Sequence, residues 1–166
     1  PKVNKFIDLE QSPEVYNDMI SFHCQFFNEW LYHYPQFKPG TSSEDRWDLR
    51  ETTFALSNIM FYPLMEIAFK VWKTYNKNAI DWTQNDLWKE LIGKLNSKVE
   101  LDNNKFVPLM SRENTNWRGK ILVGSTDSEG NTTWGLSSTN TTRKAAYKYL
   151  SNVIDLDTFE SRLVNG

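Results

Sequence analysis

Two histidines, one cysteine and 21 acidic side chains are the groups of this 166-residue chain that could move a proton, attack a carbon or hold a metal. His23 and His33 stand ten residues apart on one predicted helix, about 80° apart around its axis and some 15 Å along it. They cannot share an ion. No Cys-x-x-Cys or His-x-x-x-His spacing supplies another ligand set, so neither a metal nor another cofactor is expected. Cys24 would need a base and partial exposure to act as a nucleophile, but it lies in an apolar helix, where packing in the core is expected. Glu44, Asp45, Asp48 and Glu51 crowd a predicted helix start, where they complement its open N–H groups and its dipole. Gly124, Gly130 and Gly135 lack the spacing of a phosphate loop and no Gly-Lys-Ser/Thr follows them. No nucleophile and base can be paired, so binding rather than catalysis is expected.

The distribution of charge is more informative than its sum of −2. From Asp8 to Glu66 there are ten acids against three bases, Lys38, Arg46 and Arg50. From Arg112 to Lys148 six bases face three acids. The later bases sit beside Asn114, Asn116, Thr139, Asn140, Thr141 and Thr142, so guanidinium groups, hydroxyls and the N–H groups of a helix start could converge on a phosphate. The nucleic-acid-binding candidates are Arg112, Asn114, Arg118, Lys120, Asn140, Arg143 and Lys144. Each also has a structural reading. Thr139 or Asn140 would cap the last helix, with Arg143, Lys144 and Lys148 along its solvated side. In Arg112-x-Asn114-x-x-Trp117-x-Gly119, Trp117 would anchor a hairpin, Gly119 would permit a positive backbone angle, and Arg112 and Asn114 would fix the loop by hydrogen bonds.

Helices must position these groups. Ser12, Pro13 and Glu14 mark the start of a helix over 13–34, whose apolar positions Val15, Met19, Phe22, Phe26 and Trp30 are widened by Ile20, Phe27, Leu31 and Tyr34, which predicts that it is mostly buried. A second apolar stretch is interrupted by Pro63, which removes a ladder hydrogen bond and clashes with the preceding turn, so two segments are expected, 45–61 and 63–75. A third helix is predicted over 84–96 from a capping pattern at Thr83 and Asp86. The segment after Asn96, with Asp102-Asn103-Asn104 and Pro108, reads as loop. Lys120–Gly124 and Thr132–Leu136, separated by the turn residues Asp127–Asn131, predict a β-hairpin. A helix over 140–154 and a short terminal helix follow. The fold class is therefore mainly α (α+β): a bundle of about four to five helices with a C-terminal β-hairpin followed by a helix. It forms one domain over 1–166, with the bundle in 1–96, loop and hairpin in 97–138 and the last helices in 139–166. Pro1, in place of an initiator Met, reads as a fragment of a longer protein.

The sequence Ser-Arg-Glu-Asn-Thr-Asn-Trp-Arg-Gly-Lys-Ile-Leu-Val-Gly from Ser111, with the threonine-rich stretch and Tyr-Leu helix after it, resembles the C-terminal part of DndB and related DGQHR-domain proteins, which accompany bacterial DNA phosphorothioation. The resemblance spans Ser111–Leu150, and the family's Asp-Gly-Gln-His-Arg motif is absent. It implies DNA-linked regulation of a modification or defence operon, with Arg112, Asn114, Trp117 and Gly119 as matched positions and no catalytic role. DNA is thus the expected partner. The alternative is a protein-interaction or oligomerisation domain without nucleic-acid contact. Seven Trp, seven Tyr and ten Phe exceed what one small core readily buries, and aromatic surfaces favour interfaces. The unpaired Cys24 favours the cytoplasm, and no apolar run is long enough to span a bilayer.

Overall fold

The computed structural model describes residues 12–102 and 104–165. Val3, Phe6, Ile7, Leu9, Asp8 and Glu10 lie outside them. Helices α1 (Pro13–Tyr32), α2 (Ser43–Thr52), α3 (Asn58–Lys77) and α4 (Leu87–Leu95) precede two small antiparallel sheets, and α5 (Asn140–Ile154) and α6 (Phe159–Asn165) close the chain. The first sheet pairs β1 (Lys98–Glu100) with β2 (Phe106–Pro108), and the second pairs β3 (Leu122–Thr126) with β4 (Thr132–Leu136). The mainly helical α+β architecture, with a hairpin leading into a C-terminal helix, is the one the sequence predicts.

Helix α3 is the axis of the molecule. Ile59, Met60, Leu64, Ile67, Ala68, Val71, Trp72 and Tyr75 are all buried, and burial of each large apolar side chain stabilises by roughly 1.5–3 kcal/mol. Helix α1 runs antiparallel to it, because Phe27 stacks on Phe61 at 5.7 Å near one end and Asp18 accepts from the Trp72 indole at 2.8 Å near the other. Helix α5 runs parallel to α3. Tyr62 and Pro63 share a cleft with Asn140 and Arg143 at the two N-termini, while Lys70 and Lys77 reach Asp157 and Glu160 beyond the C-terminus of α5.

Four local expectations are corrected. Helix α3 continues through Pro63; the buried face it carries outweighs one missing ladder bond. The break falls instead at Thr53–Ser57, since Phe54 N–H and the Thr53 hydroxyl both donate to the Met110 carbonyl at 2.8 Å. The 97–110 segment is not all loop, because Lys98–Glu100 and Phe106–Pro108 form a short ladder. Only Phe22, Phe26 and Trp30 of α1 are buried, so one side of that helix is open and Cys24 is exposed rather than packed in the core. The last helix begins as its sequence indicates: Thr139 and Thr142 form a reciprocal capping box, with Thr142 N–H donating to the Thr139 hydroxyl at 3.2 Å.

Tyr75, buried between α3 and Phe159, donates its hydroxyl to Asn85 Oδ1 at 2.8 Å. Burial pushes its phenol up to about 12, and the carboxylates of Asp86 and Glu90 act in the same direction. The folded value exceeds the unfolded one, so the unfolded state loses this proton first and stability falls as pH rises from about 10 through about 12. In denaturant titrations the stability advantage of the wild type over Tyr75→Phe is expected to shrink across that window. A difference that stays constant would contradict the desolvation of this phenol.

Candidate functional site

The segment after β2 locks the second half of the chain to the bundle. The Leu109 carbonyl accepts two hydrogen bonds, from Asn114 Nδ2 at 2.7 Å and from the Trp117 indole at 2.8 Å. Asn114 also accepts from Asn116 N–H at 3.0 Å, which shapes the short 3-10 turn Thr115–Trp117. Trp117 is fully buried and meets Phe54 on one side and Tyr149 on the other, with ring centroids 6.3 and 4.7 Å away. Gly119 then takes φ +71°, a conformation L side chains rarely adopt, and its N–H donates to the Leu122 carbonyl at 2.8 Å, starting the hairpin. Beyond the hairpin, Ser137 N–H donates to the Ile121 carbonyl at 2.9 Å and hands the chain to α5.

This framework sorts the seven candidates into three groups. Arg112, Asn140, Arg143 and Lys144 come to the same end of the α3–α5 pair. Arg112 donates from Nε to the Arg50 carbonyl at 2.9 Å, lies over the Phe54 ring and lines a cleft of about 370 Å³ with Arg50, Thr53, Ser57 and Asn58 at the start of α3. One helical turn on, Arg143 lies 3.9 Å from the centroid of the Tyr62 ring. It donates from Nη2 to the Ser138 hydroxyl at 3.2 Å, and its Nε is buried without a protein partner. With Asn140, Lys144 and Glu66 it lines a second cleft of about 190 Å³. Asn58 and Tyr62, four residues apart, lie on one face of α3, so the two clefts flank that face.

Arg118 stands apart, its guanidinium 5.0 Å from the centroid of Trp134 on the hairpin. The remaining two candidates are withdrawn from the surface. Asn114 has no exposed area and its amide is committed to Leu109, Asn116 and Tyr149, so it fixes the loop and cannot meet a phosphate. Lys120 is half-buried, donates to the Asn116 carbonyl and covers the Tyr149 ring at 4.7 Å. Trp117, Gly119 and the Thr139 cap take the structural roles their sequence context suggests.

Among the described residues Arg50, Arg112, Arg118, Arg143 and Lys144 are in no ion pair; the bridges present join Lys70, Lys77, Lys89, Lys105 and Arg162 to acids elsewhere. The N-termini of α3 and α5 add their positive dipole ends to this side, and the first turn of α3 has no side-chain cap. Ser57 does not cap the first turn of α3, since its hydroxyl donates back to the Phe54 carbonyl at 2.8 Å. Sequence reasoning missed Arg50, Ser57, Asn58 and Tyr62. Arg50 lies in an acid-rich stretch, and only the bond from Arg112, 62 residues away, brings the two arginines into one cleft. The hairpin is a less suitable polyanion contact, for its turn carries Asp127 and Glu129 and residues 121–136 carry no Lys or Arg.

Among the described residues no three His, Cys, Asp or Glu side chains gather to hold a metal, and no helix is long and apolar enough to cross a membrane. No protein-family model, curated protein or solved structure matches this chain.

Asn114→Ala is expected to destabilise the fold by about 1–3 kcal/mol, because it removes the partner of the half-buried Asn116 N–H and one of two donors to the Leu109 carbonyl. Lys144→Ala, at an exposed site, should stay within about 0.5 kcal/mol of wild type. Urea unfolding measures both, and equal effects would contradict the separate roles given to them.

Proposed function

We propose that this chain is a non-catalytic, nucleic-acid-associated module of a bacterial DNA-modification or defence regulator. The observation that carries the proposal is the set of unpaired cations, Arg50, Arg112, Arg143 and Lys144, flanking one face at the start of α3 and α5. Arginines without ion pairs beside two helix N-termini, that of α3 without a side-chain cap, suit phosphate oxygens, which accept from guanidinium and backbone N–H groups alike. Neutralising phosphates releases condensed counterions, so such a surface gives affinity that falls steeply with salt and depends little on sequence. The resemblance of Ser111–Leu150 to the C-terminal part of DndB and related proteins supports DNA as the polyanion.

Fluorescence anisotropy with labelled DNA over a salt series tests this reading. Arg143→Ala/Lys144→Ala is expected to weaken binding about tenfold or more at low salt and to reduce the slope of log affinity against log salt by about two. Lys120→Ala, whose ammonium is turned to Asn116 and Tyr149, should leave the slope unchanged. An affinity indifferent to the double substitution, or to salt, would refute the assignment.

A further inference from the structure

Among the described residues the α1–α3 pair leaves one long face uncovered, and that face is largely apolar. A groove of about 620 Å³ runs between Ile20 and Cys24 of α1 and Tyr62, Met65 and Phe69 of α3. A second hollow, of about 260 Å³, lies between the same two helices nearer the start of α3, beside Leu31 and Phe61. Ile20, Phe61 and Tyr62 are 41%, 53% and 50% exposed, which is more apolar surface in one strip than scattered surface hydrophobes account for. On α1 the stripe through Tyr16, Ile20, Cys24, Phe27 and Leu31 carries no charge. On α3 the stripe through Tyr62, Glu66 and Phe69 continues to Lys73. Glu66 and Lys73, seven residues apart on one side of the helix, are in no ion pair among the described residues.

We propose that this face is the contact between two copies of the chain, related by a two-fold axis crossing α3 beside Phe69. One acid and one base on a single stripe are self-complementary under such an axis. With the two α3 helices antiparallel, Glu66 of each copy meets Lys73 of the other, and both pairs form at once. The size also fits. Two adjacent helices of 20 residues present a face roughly 30 Å long and 20 Å wide, so two copies bury about 1,200 Å², where specific interfaces begin. The antiparallel α1–α3 pairs of the two copies then stack as a four-helix bundle, with Ile20, Met65 and Phe69 between the two layers. Tyr62 and Glu66 at one end of this face also line the cleft of Arg143 and Lys144, so the two contacts share an edge.

Sedimentation equilibrium of the chain at about 1–200 μM tests the proposal. The wild type is expected to approach twice the monomer mass at tens of micromolar, and Ile20→Asp/Met65→Asp to remain monomeric with an unchanged helical circular dichroism spectrum. Glu66→Lys and Lys73→Glu should each weaken association about tenfold, and the double exchange Glu66→Lys/Lys73→Glu should restore most of it. These exposed charge variants keep the test valid should the aspartate pair fail to fold. A wild type that stays monomeric at 200 μM, a dimer indifferent to Ile20→Asp/Met65→Asp, or an exchange that restores nothing would each overturn the proposal.

Discussion

The Leu109 carbonyl and the two donors it satisfies, the Asn114 amide and the Trp117 indole, are the constraint on which the arrangement of the second half depends. A buried carbonyl has two lone pairs and no water to fill them, and an indole N–H or carboxamide left without a partner costs about 1–3 kcal/mol. Each of these groups solves the other's problem. The solution seats Trp117 between Phe54 and Tyr149 and so ties three stretches of chain far apart in sequence, the α2–α3 junction, the loop and α5. The neighbouring Met110 carbonyl draws in Phe54 N–H and the Thr53 hydroxyl, which ends α2 and allows α3 to start afresh.

The consequences for charge follow from that junction. Because α3 restarts at Asn58 and α5 packs parallel to it, two positive helix ends point the same way. Parallel packing of this kind is electrostatically adverse unless the ends meet water or an anion. Four cations gather there against the one acid Glu66: Arg112 is delivered by the loop, Arg50 by the end of α2, and Arg143 and Lys144 by the first turn of α5. Two of these arginines, Arg112 and Arg143, are held over the Phe54 and Tyr62 rings, which limits their rotamer freedom while leaving them free of ion pairs. A surface built this way is preorganised for an anion, with little side-chain entropy left to lose on binding.

Features encoded within one turn or one strand pair were legible in the sequence. The Thr139–Thr142 cap, the hairpin with its Asp127–Asn131 turn, and the positive φ of Gly119 rest on contacts between residues a few positions apart. What was not legible depends on distant partners. The apolar run through Pro63 looks like a helix broken at proline, but the break sits at Thr53 because of Met110, 57 residues away. Asn114, beside basic residues in a polar loop, looks like a contact residue until the Leu109 carbonyl and Tyr149 enclose it. Cys24 lies among apolar neighbours in α1, yet its helix has two apolar sides, and the described residues cover the one bearing Phe22, Phe26 and Trp30. The periodicity marks both sides as apolar without distinguishing the covered from the open one. The charge asymmetry between the two halves was visible from the start; the joining of Arg50 to Arg112 was not.

The Leu109–Trp117 contact holds the hairpin and the start of α5 in place. Amide hydrogen exchange in Trp117→Phe tests it most directly, since phenylalanine keeps an aromatic ring in the site and removes the indole donor. Faster exchange is expected at Gly119 and Ser137, whose N–H groups bond Leu122 and Ile121, with the amides of α1 and the middle of α3 unchanged. Protection at Gly119 and Ser137 equal to that of the wild type would contradict it.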